Sequence, residues 1–367
     1  MKPATKRLLT LFAKRVRVMA VLGAVFGAAV GATVLQPPLL GGALSALAGG
    51  IYGAMLIGLI AGAEMFLPRT GLGQVLERSP LLVTLGIKAI VYSAVVFVVV
   101  GNRLGLRLAS IVIGMGIGGD AALALERQVR ATLPLGQLVA VSFMVVVVFL
   151  VLLQLNHLIG DRTMRAIIFG RYHRPRAEER FFLFVDVVGS TAIAERLGPA
   201  AVHEFLNRVF QLASDPVDDH AGEVYQYVGD EMVITWTVPE GRVAARPLAC
   251  LFAIEDALKQ AGQDFERDFG AVPRLRAALH AGPVTTGEVG GSRRAIVFHG
   301  DVMNTASRIE NATRELQRPF LVSEDALSRL DGKDAYTLVD LGPQQLRGRA
   351  APVRVYAVAS RDKTPGS

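Results

Sequence analysis

Cysteine occurs once in the 367 residues, as Cys250, which excludes an intrachain disulfide. Set in the apolar run "PLACLFAIEDAL", it reads as a small core filler. Histidine is also sparse, with six in all. His157 in "LQLNHLIG" is the only histidine in any long apolar run, and because metal or haem sites need several ligands it reads as a solvated or hydrogen-bonded side chain. No GxxxxGK[ST] loop occurs, which excludes a Walker-type nucleotide site. Internal repeats and low-complexity segments are absent as well. Most telling is the absence of Asp, Glu, Lys and Arg from Val18 to Ala63.

What is present divides the chain into two halves. With 51% hydrophobic and 19% charged residues and a mean hydropathy of +0.41, the chain is too apolar on average to be wholly soluble. A helix needs about 20 apolar residues to cross about 30 Å of hydrocarbon, so the charge-free region holds two spans, broken at Gln36, Pro37 and Pro38. A third span is expected from about Leu81 to Gly101 and a fourth from Leu135 to Ile159. The Gly-rich "LASIVIGMGI", Leu108 to Ile117, is too short for an independent crossing and reads as re-entrant or interfacial. The net charge of +7 suggests a nucleic-acid footprint until its positions are read. Lys2, Lys6, Arg7, Lys14, Arg15 and Arg17 all precede the first apolar run, which is a topogenic pattern and points away from nucleic acid. With that end inside, four spans return the chain to the cytoplasm, and the expected location is the inner (cytoplasmic) membrane, multi-pass. Lys88, two turns into the third span, is read as snorkelling to the interface or pairing with Glu64.

Residues 160–179 form a basic linker carrying Arg162, Arg165, Arg171, Arg174 and Arg176. Anchoring against anionic lipid and transmission of a helix movement both suit it. From 180 to 360 strands and helices alternate in an α+β pattern, and 361–367 read as a disordered tail. "RFFLFVDVVGST" is a buried strand ending in Asp186, followed by helical spacing that runs from Ala192 to Gly222. "EVYQYV" and "EMVITW" form a hairpin with Gly229-Asp230 at its tip. A helix is expected over 244–269, a strand pair over 275–291, then the strand "AIVFHG", a helix from Val302 to Leu316, and the strands "PFLVS" and "PVRVYAVA".

Asp186 at a strand end and Asp230 at a hairpin tip can meet at the sheet edge, where two anions are costly unless a divalent cation lies between them. Val187, Gly189, Ser190 and Thr191 in "VVGST" make a small turn into a helix N-terminus, whose free N–H groups suit phosphate oxygens. Together they describe a metal and triphosphate site.

In order and spacing, "FFLFVDVVGST", "YQYVGDEMVITW", "LHAGPVTTGEVG" and "FHGDVMNTASRIE" resemble the class III nucleotide cyclase catalytic domain over roughly residues 178 to 358. The resemblance implies a ferredoxin-like α+β domain that dimerises head to tail, with two Mg²⁺ (or Mn²⁺) on Asp186 and Asp230. It implies Asn304 and Arg308 as the transition-state pair, four apart and on one helical face. It also implies a phosphate-binding Arg347 or Arg349. Gln226 stands where adenine-specific members carry lysine and guanine-specific ones glutamate; Val297 stands where the former carry aspartate or threonine. A glutamine amide serves adenine N1 and N6, and it also suits guanine. The expectation is a membrane-bound homodimeric adenylate cyclase converting ATP to cyclic AMP and pyrophosphate. The alternatives are a guanylate cyclase and a membrane receptor with a silent cyclase-like module, and there is room for a ligand of the membrane half.

Overall fold

The computed structural model describes residues 79–101 and 170–360, the latter apart from 292–294 and 350. It also describes most of 143–152 and scattered positions from 50 to 76 and from 154 to 166. The chain divides into two compact units, Met1–Gly160 and Asp161–Ser367.

In the first unit a 21-residue helix, α1, spans Leu81–Gly101. On it Lys88 Nζ donates to Glu64 Oε2 at 2.7 Å, and the Tyr92 hydroxyl donates to Glu64 Oε1, also at 2.7 Å. Lys88 therefore takes the pairing role and not the purely snorkelling one. Ala89 and Tyr92 pack with Ile60, Val146 and Leu150 in a small buried cluster, while Ile90 and Met144 are 67% and 65% exposed. The described side chains of α1 run from 83 to 94, and among the described residues no helix is long and apolar enough to cross a membrane. The first expected span, the Leu108 to Ile117 stretch, His157 and the tail lie outside the described residues.

The second unit is an eight-stranded mixed sheet. In chain order come β1 (Arg176–Val187), α2 (Ser190–Leu197), α3 (Pro199–Asp219), β2 (Glu223–Val228), β3 (Glu231–Thr237), α4 (Arg246–Gln260) and α5 (Gly262–Phe269). They are followed by β4 (Leu275–Val289), β5 (Ala295–His299), α6 (Asp301–Glu315), β6 (Phe320–Ser323), α7 (Glu324–Arg329), β7 (Tyr336–Gln344) and β8 (Val353–Ser360). The spatial order is β2-β3-β1-β4-β6-β8-β7, with β5 pairing the far end of β4; β4 and β6 run parallel. Read from β4, the first four strands stand 4-1-3-2 with helices after β1 and β3. That is the ferredoxin-like arrangement expected from sequence.

Both faces of β1 are covered, so from Arg180 to Val187 every side chain is buried. Phe181, Leu183, Val185 and Val187 join Trp236, Phe205, Phe265 and Leu251 in the larger core under α3 to α5. Phe182 and Phe184 meet Val302 and Ala306 of α6 on the other face. Alternation with period two on a doubly covered strand produces this split.

Three expectations are corrected. The helical run from Ala192 breaks at Gly198, whose φ is +80°, and Pro199 then opens α3; a glycine at positive φ stops one helix and a proline starts the next. The 244–269 helix divides at Ala261 into α4 and α5. The 275–291 strand pair is one 15-residue strand, β4, whose two halves pair with β1 along its length and with β6 and β5 at opposite ends. "HAGP" resembled a turn, yet extended glycine and proline fit where one strand serves several neighbours. Strand β7, with its low apolar content and "LGPQ" bulge, was missed.

His280 of β4 is 4% exposed, and the Ser323 hydroxyl at 2.7 Å from its Nδ1 also accepts the Ala326 N–H that caps α7. Burial is the main cause that pulls the His280 pKa down to about 4, with Arg349 and Arg329 also lowering it against Asp325 and Asp301. An unfolded histidine takes up a proton near pH 6.5, whereas the folded one stays neutral to about pH 4. Stability from this group is thus whole above pH 6.5 and is lost as pH falls towards 4, on the order of 3 kcal/mol. Denaturant unfolding of wild type and His280→Gln at pH 7, 6, 5 and 4 should show a flatter acid slope in the variant by about this amount. Parallel slopes would refute the assignment.

Candidate active site

The sheet register alone assembles the first row of the site. Asp186 lies opposite Glu231 of β3 and opposite Arg276 of β4, and directly opposed residues share a face with Cβ atoms about 5 Å apart. Asp230 precedes Glu231 in the two-residue turn, which Gly229 permits at φ +64°. Beyond β1, Gly189 at φ +73° bends the chain so that α2 begins at once. Ser190 on its first turn donates a hydrogen bond from Oγ to Asp230 Oδ2.

Asp186, Asp230, Gly189, Ser190 and Thr191 together border a hollow of about 480 Å³, with Glu231, Arg276, Glu310 and Arg314 completing it. Arg276 Nε donates to Asp186 Oδ2 at 2.5 Å and is 2.7 Å from Glu310 Oε1, an ion pair whose angle makes no hydrogen bond. Arg314 Nη2 stands 3.8 Å from the same Asp186 oxygen. Four carboxylates therefore face two guanidinium groups, and the surplus is negative. Burial, then the hydrogen bond and charge of Asp230, push Asp186 up to about 6. Burial also raises Asp230, but hydrogen bonds from Ser190 and Asp186 outweigh it and its pKa falls below the usual value. Glu231 is pushed up to about 7 by burial and by the neighbouring Glu310, Asp186 and Asp230.

Such a set suits a hard divalent cation. Among the described residues no three His, Cys, Asp or Glu side chains group as a complete metal cage, and Mg²⁺ is typically held by one or two carboxylates with substrate phosphates and water. Asp186 and Asp230 fit that donor set, since their mutual repulsion is relieved by a cation. The N-terminus of α2 beside them offers N–H groups to a phosphate.

Gln226 reaches the α6 side of the sheet through a β-bulge. The β2–β3 register shifts between Val224 and Gln226, so Tyr225 is the extra residue, and Gln226 falls opposite Val233 on the α6 face. Bulges re-aim side chains in this way next to functional sites. Tyr225 packs on Phe298 of β5 with ring centroids 4.8 Å apart; strand alternation then turns its neighbour Val297, opposite Gly287, to the other face of β5.

Asn304 and Arg308 share one face of α6, Asn304 exposed and Arg308 half-buried. Among the described residues Arg308 has no ion-pair partner; Glu310 is engaged by Arg276 instead. The Arg308 guanidinium lies beside Gly348, 3.6 Å from where a Cβ would stand. In that loop Arg349 is tied to Asp301 at 3.2 Å and to Thr305, leaving the exposed Arg347 without an ion pair among the described residues. None of Gln226, Val297, Asn304, Arg308 and Arg347 borders the hollow of the same chain. Val187 is 1% exposed in the core beneath α3, so its main chain, as in the turn reading, is what it can offer a ligand. Sequence reasoning also missed Arg276, Glu310 and Arg314, which become neighbours of Asp186 only through the β1–β4 register and α6 packing.

The description "Adenylate and Guanylate cyclase catalytic domain" matches residues 173–360. "Adenylate cyclase 2" of Rhizobium meliloti is 36% identical over 208 residues, 57% of this chain and 57% of that protein. An "Adenylate cyclase" of Mycobacterium tuberculosis is 30% identical over 197 residues, 54% of this chain and 42% of that protein. "Guanylate cyclase D" of Mus musculus is 32% identical over 170 residues, 45% of this chain and 15% of that protein. The chain thus spans little more than half the length of these relatives at most. A structure described as that of a bacterial light-regulated adenylyl cyclase shares the fold at a TM-score of 0.52 and 21% identity, covering 60% of this chain and 64% of that one.

If Asp186 and Asp230 hold a divalent cation, Mn²⁺ at a hundredfold excess over its dissociation constant should stabilise the folded chain by about 2.7 kcal/mol. That corresponds to a rise of several degrees in the thermal midpoint. Asp230→Asn should abolish the rise, and an undiminished rise in that variant would remove Asp230 from the metal site.

Proposed function

The chain belongs to the adenylate and guanylate cyclase catalytic-domain family, and from that premise we propose that it is a membrane-bound adenylate cyclase. It converts ATP to cyclic AMP and pyrophosphate at the interface of a head-to-tail homodimer. The observation that carries the reading is the meeting of Asp186 and Asp230 beside the N-terminal turn of α2. In the reaction the ribose 3′-oxygen forms a bond to the α-phosphorus, the bond from that phosphorus to the bridging oxygen breaks, and the 3′-hydroxyl proton is released. Two Mg²⁺ (or Mn²⁺) on Asp186 and Asp230 would activate the 3′-hydroxyl and neutralise the phosphates.

The protein's own residues then divide the remaining tasks. Main-chain N–H groups from Gly189 to Thr191 receive phosphate oxygens. Arg308 presents a fork of donors to charge on the α-phosphoryl group, Asn304 holds the ribose, and Arg347 takes the terminal phosphates. Gln226 reads the base edge, with Val297 contributed by β5. Guanine suits the same amide, so GTP is the alternative substrate.

Dimerisation is supported by what a single chain leaves apart. The hollow contains the carboxylates and not Asn304, Arg308 or Gln226, so a second copy is needed to complete each site. The membrane reading is supported by the charge-free stretch from Val18 to Ala63 and by the inverted pattern of the first unit. There the Lys88–Glu64 pair is mostly enclosed at 16% and 22% exposure, while Ile90 and Met144 face outward. Enclosed charges and outward aliphatics suit a lipid surround.

Shared sites make a complementation test decisive. Asp186→Ala chains and Arg308→Ala chains should each be inactive alone. With random pairing, half the co-expressed dimers are mixed, each with both defects in one site and the other site whole, so about a quarter of wild-type activity per dimer should return. Isolated heterodimers that stay inactive would place each site within one chain. For the base, Gln226→Glu should move preference towards GTP, because a carboxylate accepts from guanine N1–H and N2 and repels adenine N1. An unchanged ratio of kcat/KM for ATP and GTP would show that another residue reads the base.

A further inference from the structure

Six residues before Asp186 on the same face of β1, Arg180 is buried to 2% exposure with each of its three side-chain nitrogens donating a hydrogen bond. Its Nε donates to Thr235 Oγ1, its Nη1 to Glu178 Oε1 and its Nη2 to Glu223 Oε2, each at 3.0 Å. The guanidinium also lies 4.7 Å above the ring of Phe298. A buried cation this costly to desolvate is strongly destabilising to break, yet it contributes little net stability compared with an apolar replacement. Its presence therefore calls for a reason other than stability.

The partners of Arg180 point to one. On one side they hold the segment before the sheet: Thr163 donates to Glu223 Oε1 at 3.3 Å, and the Tyr172 hydroxyl donates to Glu178 Oε1 at 3.3 Å. Residues 172–175 lie along β4, where Glu288 N donates to Tyr172 O at 3.1 Å and Pro175 packs on Gly287. On the other side Glu223 opens β2, and Phe298 packs on Tyr225, the bulge residue that turns Gln226 to the α6 face. Thr286 of β4 completes the set by donating to Glu178 at 2.6 Å.

We propose that Arg180, with Glu178 and Glu223, is a positioning hub that fixes the bulge at Tyr225, and hence Gln226, to Thr163 and the docked stretch 170–175. Movement of that segment then changes how the nucleotide base is held, without touching the reacting atoms. The proposal rests on the reading of Gln226 as the base-contacting side chain.

The full chain tests it with two kinds of variant. In Glu178→Gln/Arg180→Met/Glu223→Gln the hub is neutral, so no buried charge is stranded; Tyr172→Phe removes one hydroxyl from the segment side. Amide hydrogen exchange reads the hub independently of turnover. In the triple variant, exchange should accelerate at least about tenfold at 163–175 and 223–228 together, with the β4–β6 pairing unchanged. Kinetically, KM for nucleotide should rise about fivefold or more with kcat within about twofold, and the ATP to GTP ratio of kcat/KM should move. Arg180→Lys, which keeps charge but not the fork, should fall between. Tyr172→Phe should give the same pattern in smaller measure, and Phe298→Leu carries the same readouts if the triple variant does not fold. Unchanged exchange at 223–228, or an unchanged KM and base ratio while 163–175 loosens, would overturn the proposal. If the wild type turns over neither nucleotide, the catalytic reading fails, and the exchange data still decide the hub.

Discussion

Asp186 and Asp230 are brought together by strands that do not allow them to separate. Two unit charges 4 Å apart repel by about 4 kcal/mol near a protein surface, and here two further carboxylates, Glu231 and Glu310, stand close by. The register that opposes Asp186 to Glu231 is the same one that seats Phe181 against Trp236 and Leu183 against Ile234. Shifting it by one residue to ease the repulsion would turn the whole apolar set of β1 to the wrong face. The core thus holds the anions in place, and Arg276 and Ser190 moderate the repulsion. A divalent cation would answer the same constraint more fully.

Much of this was legible in the sequence for a local reason. Asp186 ends a run of apolar residues, Asp230 sits beside a hairpin glycine, and Asn304 and Arg308 keep helical spacing; each signal lies within a few residues. What sequence reasoning missed depends on contacts distant along the chain. Arg276 stands 90 residues from Asp186 and meets it only because β4 pairs with β1. The length of β4 was hidden because Gly282 and Pro283 look like punctuation, although both sit in extended backbone with partners on either side. The bulge at Tyr225 is equally silent: "EVYQYV" alternates as any strand does, and simple alternation would have turned Gln226 to the same face as Val224, under α3.

The central strand explains how one short segment serves stability and chemistry together. Odd-numbered residues from Phe181 to Val187 enter the large core, while the even-numbered Arg180, Phe182, Phe184 and Asp186 face α6. Six residues of strand separate Arg180 from Asp186, about 20 Å at 3.3 Å each, and the two phenylalanines on that face, Phe182 and Phe184, are packed against Val302 and Ala306. A strand held on both edges and both faces is too stiff to bend between its ends. A displacement at the Arg180 end therefore has softer routes than β1 itself: along the edge strand β2, through Tyr225, and along β5, which among the described residues pairs only with the end of β4. Both lead to the expected base contacts, Gln226 and Val297, and β2 runs on through the Gly229 turn to Asp230. The fold thus sets a central strand held on both edges, which carries Asp186, beside an edge strand and a short strand, which carry Gln226 and Val297.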